Sequence, residues 1–301
     1  MSIKSPFLKL GDTIAIVASA RKISREEMQP AINIFTSWGL KVNINDDLFQ
    51  SENQFAGSDE IRAKNLQQFL DDNSIRAIFC ARGGYGTVRI IDKLNFDKFS
   101  KNPKWIVGYS DITVLHSHIH SKLKIETLHG TMPINMQLQN ANEESILSVR
   151  NFLFGEKVSY EIPTHPLNKE GEAKAQLIGG NLSVLYSLLG SDSDIDTKGK
   201  ILFLEDLDEY LYHIDRMMMN MQRNRKLAHL SGLIIGGMSD MKDNAIPYGK
   251  TAEKIIFDLV KAYNFPICFG FPAGHEQRNL ALNLGAEITL KVTPHISKVL
   301  F

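Results

Sequence analysis

Trp105-Ile106-Val107-Gly108-Tyr109-Ser110-Asp111 joins an apolar, β-type run to a serine, and Ile112, Leu115, Ile119 and Leu123 follow at helical spacing. A serine at a sharp strand-to-helix turn is the geometry of a nucleophile elbow. Its Oγ is lifted out of the sheet, and backbone N–H groups at the helix start face any oxyanion that forms. The turn departs from Gly-x-Ser-x-Gly, because Ile112 stands where the second glycine belongs. A serine that only caps the helix is the competing reading.

A serine nucleophile needs a base within hydrogen-bond reach and an acid to orient that base. Of the nine histidines, His275 is the best base, because Gly270-Phe271-Pro272-Ala273-Gly274-His275 is a turn directly after an apolar strand. An ordinary loop histidine is the alternative. Glu205 is the best orienting acid. It follows Ile201-Leu202-Phe203-Leu204, and a carboxylate at the end of a buried strand must be paired or face a site. For its neighbours, helix N-capping by Asp206 and first-turn roles for Asp208 and Glu209 are sufficient. His116, His118 and His120 alternate along one helix and cannot form a single tripod. His116 and His120 lack an H-E-x-x-H pattern, so no metal is expected. His129, in Leu128-His129-Gly130, is placed in a loop where it can line a pocket or serve structure, and His165 falls between the two halves.

Arg82-Gly83-Gly84-Tyr85-Gly86 admits three readings. As a phosphate cradle it lacks the P-loop Lys-Ser/Thr and a full G-x-G-x-x-G. It can be a tight turn alone. Or it brings a backbone N–H, of Gly84 or Gly83, beside Ser110 as half of an oxyanion hole, the N–H of Asp111 being the other half.

The elements that must position these residues are legible from periodicity. Thr13 to Ser19, Lys41 to Ile44, Ala77 to Cys80 and Trp105 to Gly108 read as strands. Helices lie between them: one opened by a Ser24–Glu27 capping box, with Pro30 arguing for a late start or a kink, one capped by Ser58, and one from Gly86 through Leu94. This βαβα series implies a parallel sheet, with ligands beyond the carboxyl ends of its strands. In the second half, Gly179-Gly180-Asn181 opens a helix, Lys200 to Leu204, Leu233 to Ile235 and Ile267 to Phe269 are strands, and Ala281 to Val292 reads as a hairpin. The methionines at 217, 218, 219 and 221 are core or interface filler. The expected architecture is α/β: a Rossmann-like N-terminal domain over 1–140, a linker over 141–172 that begins with a helix from Glu143 to Phe154, and a β-rich α/β C-terminal domain over 173–301.

Lys plus Arg and Asp plus Glu number 34 each, so the formal net charge is zero and neither nucleic acid nor a membrane surface is an expected partner. Cys80 and Cys268 sit in apolar runs and read as buried reduced thiols, with a disulfide or a cysteine nucleophile as the alternatives. With no signal pattern at the N-terminus and no membrane-length apolar run, the chain reads as a cytoplasmic protein.

Taken together, Ala81 to Gly86, Gly108 to Asp111, His129-Gly130, Gly179-Gly180-Asn181-Leu182, Phe203 to Asp206 and Pro272 to His275 resemble the LD-carboxypeptidase family of serine peptidases. That family comprises the muramoyltetrapeptide carboxypeptidases and their microcin-immunity relatives. The resemblance implies an N-terminal α/β domain supplying the serine, a C-terminal domain rich in β structure supplying Glu and His, and a site in the cleft between them. By position, Ser110 matches the nucleophile, Glu205 and His275 the other triad members, and Gly84 with Asp111 the oxyanion donors. No cofactor or metal is implied. The substrate implied is a cytoplasmic murein tetrapeptide that loses its terminal D-alanine in peptidoglycan recycling. Arg82 is a candidate for pairing with a terminal carboxylate, or for a structural salt bridge. Gly83, Tyr85 and His129 complete the candidate substrate contacts. The microcin-immunity branch cleaves an amide to a modified nucleotide, but residues 162–174 contain no Trp, Phe or Tyr to line a nucleobase pocket. A non-catalytic two-domain binding protein is the reading outside enzymes. A homodimer, through the methionine-rich helix, is the expected assembly.

Overall fold

A computed structural model describes residues 2–137 and 142–301. The first half supplies strands β1 (Thr13–Val17), β2 (Lys41–Asn43), β3 (Ile75–Cys80), β4 (Trp105–Gly108) and β5 (Thr127–His129), with helices α1 (Arg25–Ser37), α2 (Asp59–Asp71), α3 (Asp97–Lys101) and α4 (Thr113–Leu123) between them. The second half runs α5 (Glu143–Phe154), β6 (Ser159–Pro163), β7 (Gly171–Asn181), α6 (Leu182–Leu188), β8 (Ile201–Leu207), α7 (Leu211–Arg223), β9 (Gly232–Ser239), α8 (Ala252–Val260) and β10 (Ile267–Cys268). It ends with β11 (Leu282–Leu284), β12 (Glu287–Val292) and β13 (Ile296–Leu300).

The first sheet has the order β11-β5-β4-β3-β1-β2 and is parallel except for β11. Its strands are buried on both faces, which is why they read as continuous apolar runs. Ile14, Ile16, Phe79, Trp105 and Val107 pack on one face, and Ala15, Val17, Ile78, Cys80 and Ile106 on the other. Each side chain of Val or Ile size buried this way contributes roughly 1.5–3 kcal/mol. The second sheet has the order β10-β9-β8-β7-β12-β13-β6. Strand β7 joins two regimes: residues 171–176 pair antiparallel with β12, and residues 177–181 pair parallel with β8. This is the α/β architecture expected, a parallel-sheet first half and a mixed, β-rich second half.

Several local readings change. The capping box at Ser24 fixes the start of α1, and the helix runs through Pro30 rather than beginning after it. Between Gly86 and Leu94 there is no α-helix but two 3-10 turns, Thr87–Arg89 and Ile91–Lys93. The Thr87 N–H is taken by the Asp111 carboxylate, which anchors the chain there. The segment read as a linker carries α5 and β6, and β6 pairs with β13 as the edge of the second sheet. Residues 281–292 are not a hairpin. Strand β11 pairs with β5, so the C-terminal part of the chain completes the first sheet, and β12 pairs with β7 in the second. Gly285, at φ 95°, makes the turn that redirects the chain between them.

Cys80 and Cys268 are buried free thiols on different sheets. Burial pushes the Cys80 thiol up to about 12 and the Cys268 thiol up to about 11, which disfavours the thiolate a cysteine nucleophile needs, and no disulfide joins the two. No helix among the described residues is long and apolar enough to cross a membrane.

Candidate active site

Strand β4 delivers Ser110. Gly108 is needed there because a Cβ would come within 2.8 Å of the Ile112 side chain, which folds back under the turn. Tyr109 is extended, and Ser110 then adopts φ 64°, a left-handed conformation that costs an L-residue roughly 1–2 kcal/mol. The chain tightens into a 3-10 turn over Ser110–Ile112 before α4 begins at Thr113. Strain held at a serine between a strand and a helix is what an elbow requires and what a plain helix cap does not. His116, one turn into α4, bonds Gly108 O through Nε2 at 2.9 Å and braces the turn from below.

The glycine-rich turn lies against it. A Cβ on Gly83 would sit 3.0 Å from Ser110 Oγ, so only glycine lets this backbone approach the hydroxyl. Gly84, Ser110 and Asp111 line one cleft of about 290 Å³ together with Asn181, Ser183, Asp206 and Glu209. Among the described residues neither the Gly84 nor the Asp111 backbone N–H has a main-chain acceptor.

Glu205 and His275 come from the second sheet. Glu205 lies inside β8, fully buried, beside a register shift between Leu204 and Asp206. Its Oε2 accepts from His275 Nδ1 at 2.7 Å. Two glycines make room for this contact. A Cβ on Gly274 would lie 2.5 Å from Glu205 Oε2, and one on Gly236 would lie 2.5 Å from Ala273 O. The Gly274 N–H donates to Asn279 Oδ1 at 2.9 Å and the Gly237 N–H to Ala273 O at 3.0 Å, which seats the turn on the strand. Burial opposes the imidazolium, but the Glu205 bond and charge, with the charge of Asp206, outweigh it and hold the His275 pKa above the usual histidine value.

The two halves meet at the strand ends. The Tyr109 ring packs on the His275 ring, centroids 4.9 Å apart, and burial pushes its phenol up to about 12. The Asn181 N–H donates to Thr113 Oγ1 at 3.0 Å, pinning the end of β7 to the start of α4. Gly180 permits this approach, since a Cβ there would be 2.5 Å from the same oxygen. Among the described residues no hydrogen bond joins Ser110 Oγ to His275 in this conformation. Catalytic hydrogen bonds often tighten only with substrate in place.

Both halves of the chain match models of one family: the LD-carboxypeptidase N-terminal domain over residues 14–130 and the C-terminal domain over residues 174–290. A protein of Bacillus subtilis (strain 168) named a probable murein peptide carboxypeptidase is 31% identical over 96% of this chain and 92% of its own. The chain belongs to the LD-carboxypeptidase family. It is thus a serine-type carboxypeptidase, which sets aside the non-catalytic binding protein. Among solved structures, muramoyltetrapeptide carboxypeptidase from Oxalobacter formigenes superposes with a TM-score of 0.87 at 24% identity, covering 95% of this chain and 97% of that one. MccF in complex with glutamyl sulfamoyl guanosine superposes with a TM-score of 0.86 at 19% identity, covering 99% and 98%. At these identities the superpositions speak for the fold.

In this LD-carboxypeptidase the other candidates are placed as follows. Arg82 donates to Lys22 O at 3.2 Å and is half-buried. Tyr85 is half exposed beside Phe55. His129 is not in a loop but ends β5, fully buried between Tyr109 and Phe203, and burial holds its pKa well below the usual value. Asp206 is not the cap of α7. It accepts from Asn181 Nδ2, the Ser183 N–H and the Leu207 N–H, all at 2.9 Å, and so caps α6 from the neighbouring strand. Burial and the Glu205 charge push it up to about 7. Sequence reading missed Tyr109 and Asp206 as parts of the site, although each adjoins a residue it chose.

Proposed function

We propose that this carboxypeptidase removes the terminal D-alanine of a murein tetrapeptide, with Ser110, His275 and Glu205 as its triad. The observation that carries the reading is the buried Glu205–His275 hydrogen bond, whose imidazole packs on Tyr109, the residue before a serine held in a left-handed turn. His275 Nε2 takes the Ser110 proton as Oγ attacks the amide carbonyl of the L-configured residue. The N–H groups of Gly84 and Asp111 receive the oxyanion. Glu205 holds the proton on Nδ1 and stabilises the imidazolium, which then protonates the departing D-amino acid. Water, deprotonated by His275, attacks the acyl-enzyme carbonyl, and the protonated His275 returns that proton to Ser110 Oγ as the ester bond breaks.

The names of the Bacillus subtilis relative and the Oxalobacter structure support a murein peptide as substrate. Reduced buried thiols support a cytoplasmic setting, that of peptidoglycan recycling. A small peptide, with neither nucleic acid nor membrane as partner, fits the balanced charge. A homodimer belongs to the same proposal. The core takes up Met217, Met218 and Met221 of α7, leaving Met219, Tyr210 and Tyr212 exposed for a partner, and sedimentation velocity reads the assembly.

Mass spectrometry of an L-Ala-D-Glu-(Lys or diaminopimelate)-D-Ala tetrapeptide incubated with the protein and with Ser110→Ala tests the reaction. Loss of one alanine with the unaltered protein alone is the expected result. No loss from either peptide, with cleavage of an aminoacyl sulfamoyl nucleotide, assigns the chain to the branch of its MccF-like neighbours.

A further inference from the structure

Arg62 is 1% exposed, on the face of α2 that buries Leu66, Phe69 and Leu70. Its Nη1 donates to Gly86 O at 3.0 Å and to Ser19 O, its Nη2 to Asp59, and its guanidinium lies over the Phe55 ring, 5.0 Å from the centroid. Gly86 has φ 145°, and a Cβ there would be 2.8 Å from Nη1, so the cation is pressed onto bare backbone. The next residue is held from two other sides. The Thr87 N–H donates to Asp111 Oδ2 at 2.9 Å, and Thr87 Oγ1 bonds Ser19 Oγ at 2.8 Å. Asp111 is itself 3% exposed and follows Ser110.

Burying a guanidinium is costly, and an apolar side chain of similar volume would pack α2 on the sheet as well. What an apolar side chain cannot do is bind carbonyls from two separate loops at once. Arg has the planar fork for that. Its contacts end on the glycine-rich turn two residues beyond Gly84.

We propose that Arg62 is a positioning residue for the oxyanion hole. It clamps Gly86 from one side while the Asp111 carboxylate clamps Thr87 from the other, so that the Gly84 and Asp111 N–H groups keep a fixed spacing. This role rests on the serine-hydrolase reading above and adds to it a residue that touches neither substrate nor Ser110. A loosened clamp lets the Gly84 N–H drift, which weakens binding of the transition state while leaving ground-state peptide binding in place.

The test uses a fluorophosphonate, which Ser110 attacks with loss of fluoride and whose phosphoryl oxygen occupies the oxyanion hole whatever the peptide specificity. Labelling rates are read by intact-mass spectrometry, beside kcat and KM for the tetrapeptide. Arg62→Met is expected to slow labelling and kcat by about tenfold to a hundredfold, with KM within about threefold. Arg62→Lys, which keeps the charge and one donor, is expected to recover part of that loss. Asp59→Asn loosens the same guanidinium from the rim without emptying the core, so it reports even where Arg62→Met fails to fold, and about a twofold to fivefold slowing is expected. Equal labelling rates in the folded variants and the unaltered protein overturn the proposal, as does a loss confined to KM. If the unaltered protein takes no adduct on Ser110, the serine-hydrolase reading fails and this role goes with it.

Discussion

The turn carrying Ser110 and the turn carrying His275 both follow a buried strand, yet they are held by different physics. The Ser110 turn is a matter of backbone: a left-handed φ, a glycine under Ile112, a glycine against the hydroxyl, and N–H groups without main-chain acceptors among the described residues. The His275 turn is a matter of charge: a wholly buried carboxylate, a 2.7 Å bond to the imidazole and a second acid alongside. Changes in the first half should act through geometry and leave titration alone. Changes in the second should move titration as well as rate.

The strongest way to break the comparison is Ser110→Ala. It is expected to lower kcat by at least about 10⁴-fold with peptide binding retained, as calorimetry and single-turnover assays would show, because triad members act as a unit. Residual activity near the native rate would remove Ser110 from the chemistry. Glu205→Gln comes next, with a loss of about 10³- to 10⁴-fold. It also moves the pH profile. The proposed base, His275, would work as neutral imidazole, so kcat/KM should fall as pH drops through its raised pKa. Without the Glu205 charge, burial dominates and that acidic limb shifts to lower pH. An unmoved limb would show that Glu205 does not tune His275.

Two glycines sharpen the contrast further. Gly274→Ala adds a methyl 2.5 Å from Glu205 Oε2 at φ 110°, so it should cost stability, roughly 1–3 kcal/mol in denaturant melts, and displace the acidic limb. Gly83→Ala meets Ser110 Oγ at 3.0 Å with no such φ, so it should lower kcat about tenfold at an unchanged limb. Matching pH shifts in the two variants would erase the distinction. The smallest effect is expected of Asp206→Asn. Removing a charge that raises the His275 pKa should move the limb slightly to lower pH, with a rate change of only about threefold from slackening of the α6 start.

Much of the nucleophile half was legible in the chain because its signals are local. An apolar run, a glycine and a serine before helical spacing specify a strand, a turn and a helix within twenty residues, and burial on both faces explains why β1, β3 and β4 read so clearly. The stretch after Gly86 was misread because what anchors it is distant in sequence: the Thr87 N–H is held by Asp111, in the turn after β4. The Ala281 to Val292 hairpin was misread for a related reason. Alternation reports that residues sit in a sheet, not which sheet, and β11 found its partner in β5 of the other half. His129 looked like a loop residue because its strand is only three residues long.

By itself, then, the sequence determined most of the element types and the parallel character of the first sheet, and it offered Ser110, Glu205 and His275 as candidates for the chemistry. Those follow from periodicity and residue type, which act over a few neighbours. Only the tertiary structure decided that Glu205 meets His275 across 70 positions of chain, that Tyr109 packs on that imidazole, and that Arg62 and Asp111 close on the glycine-rich turn. Such contacts depend on which strands lie side by side, and strand order is set by burial of whole sheet faces rather than by any local run of residues.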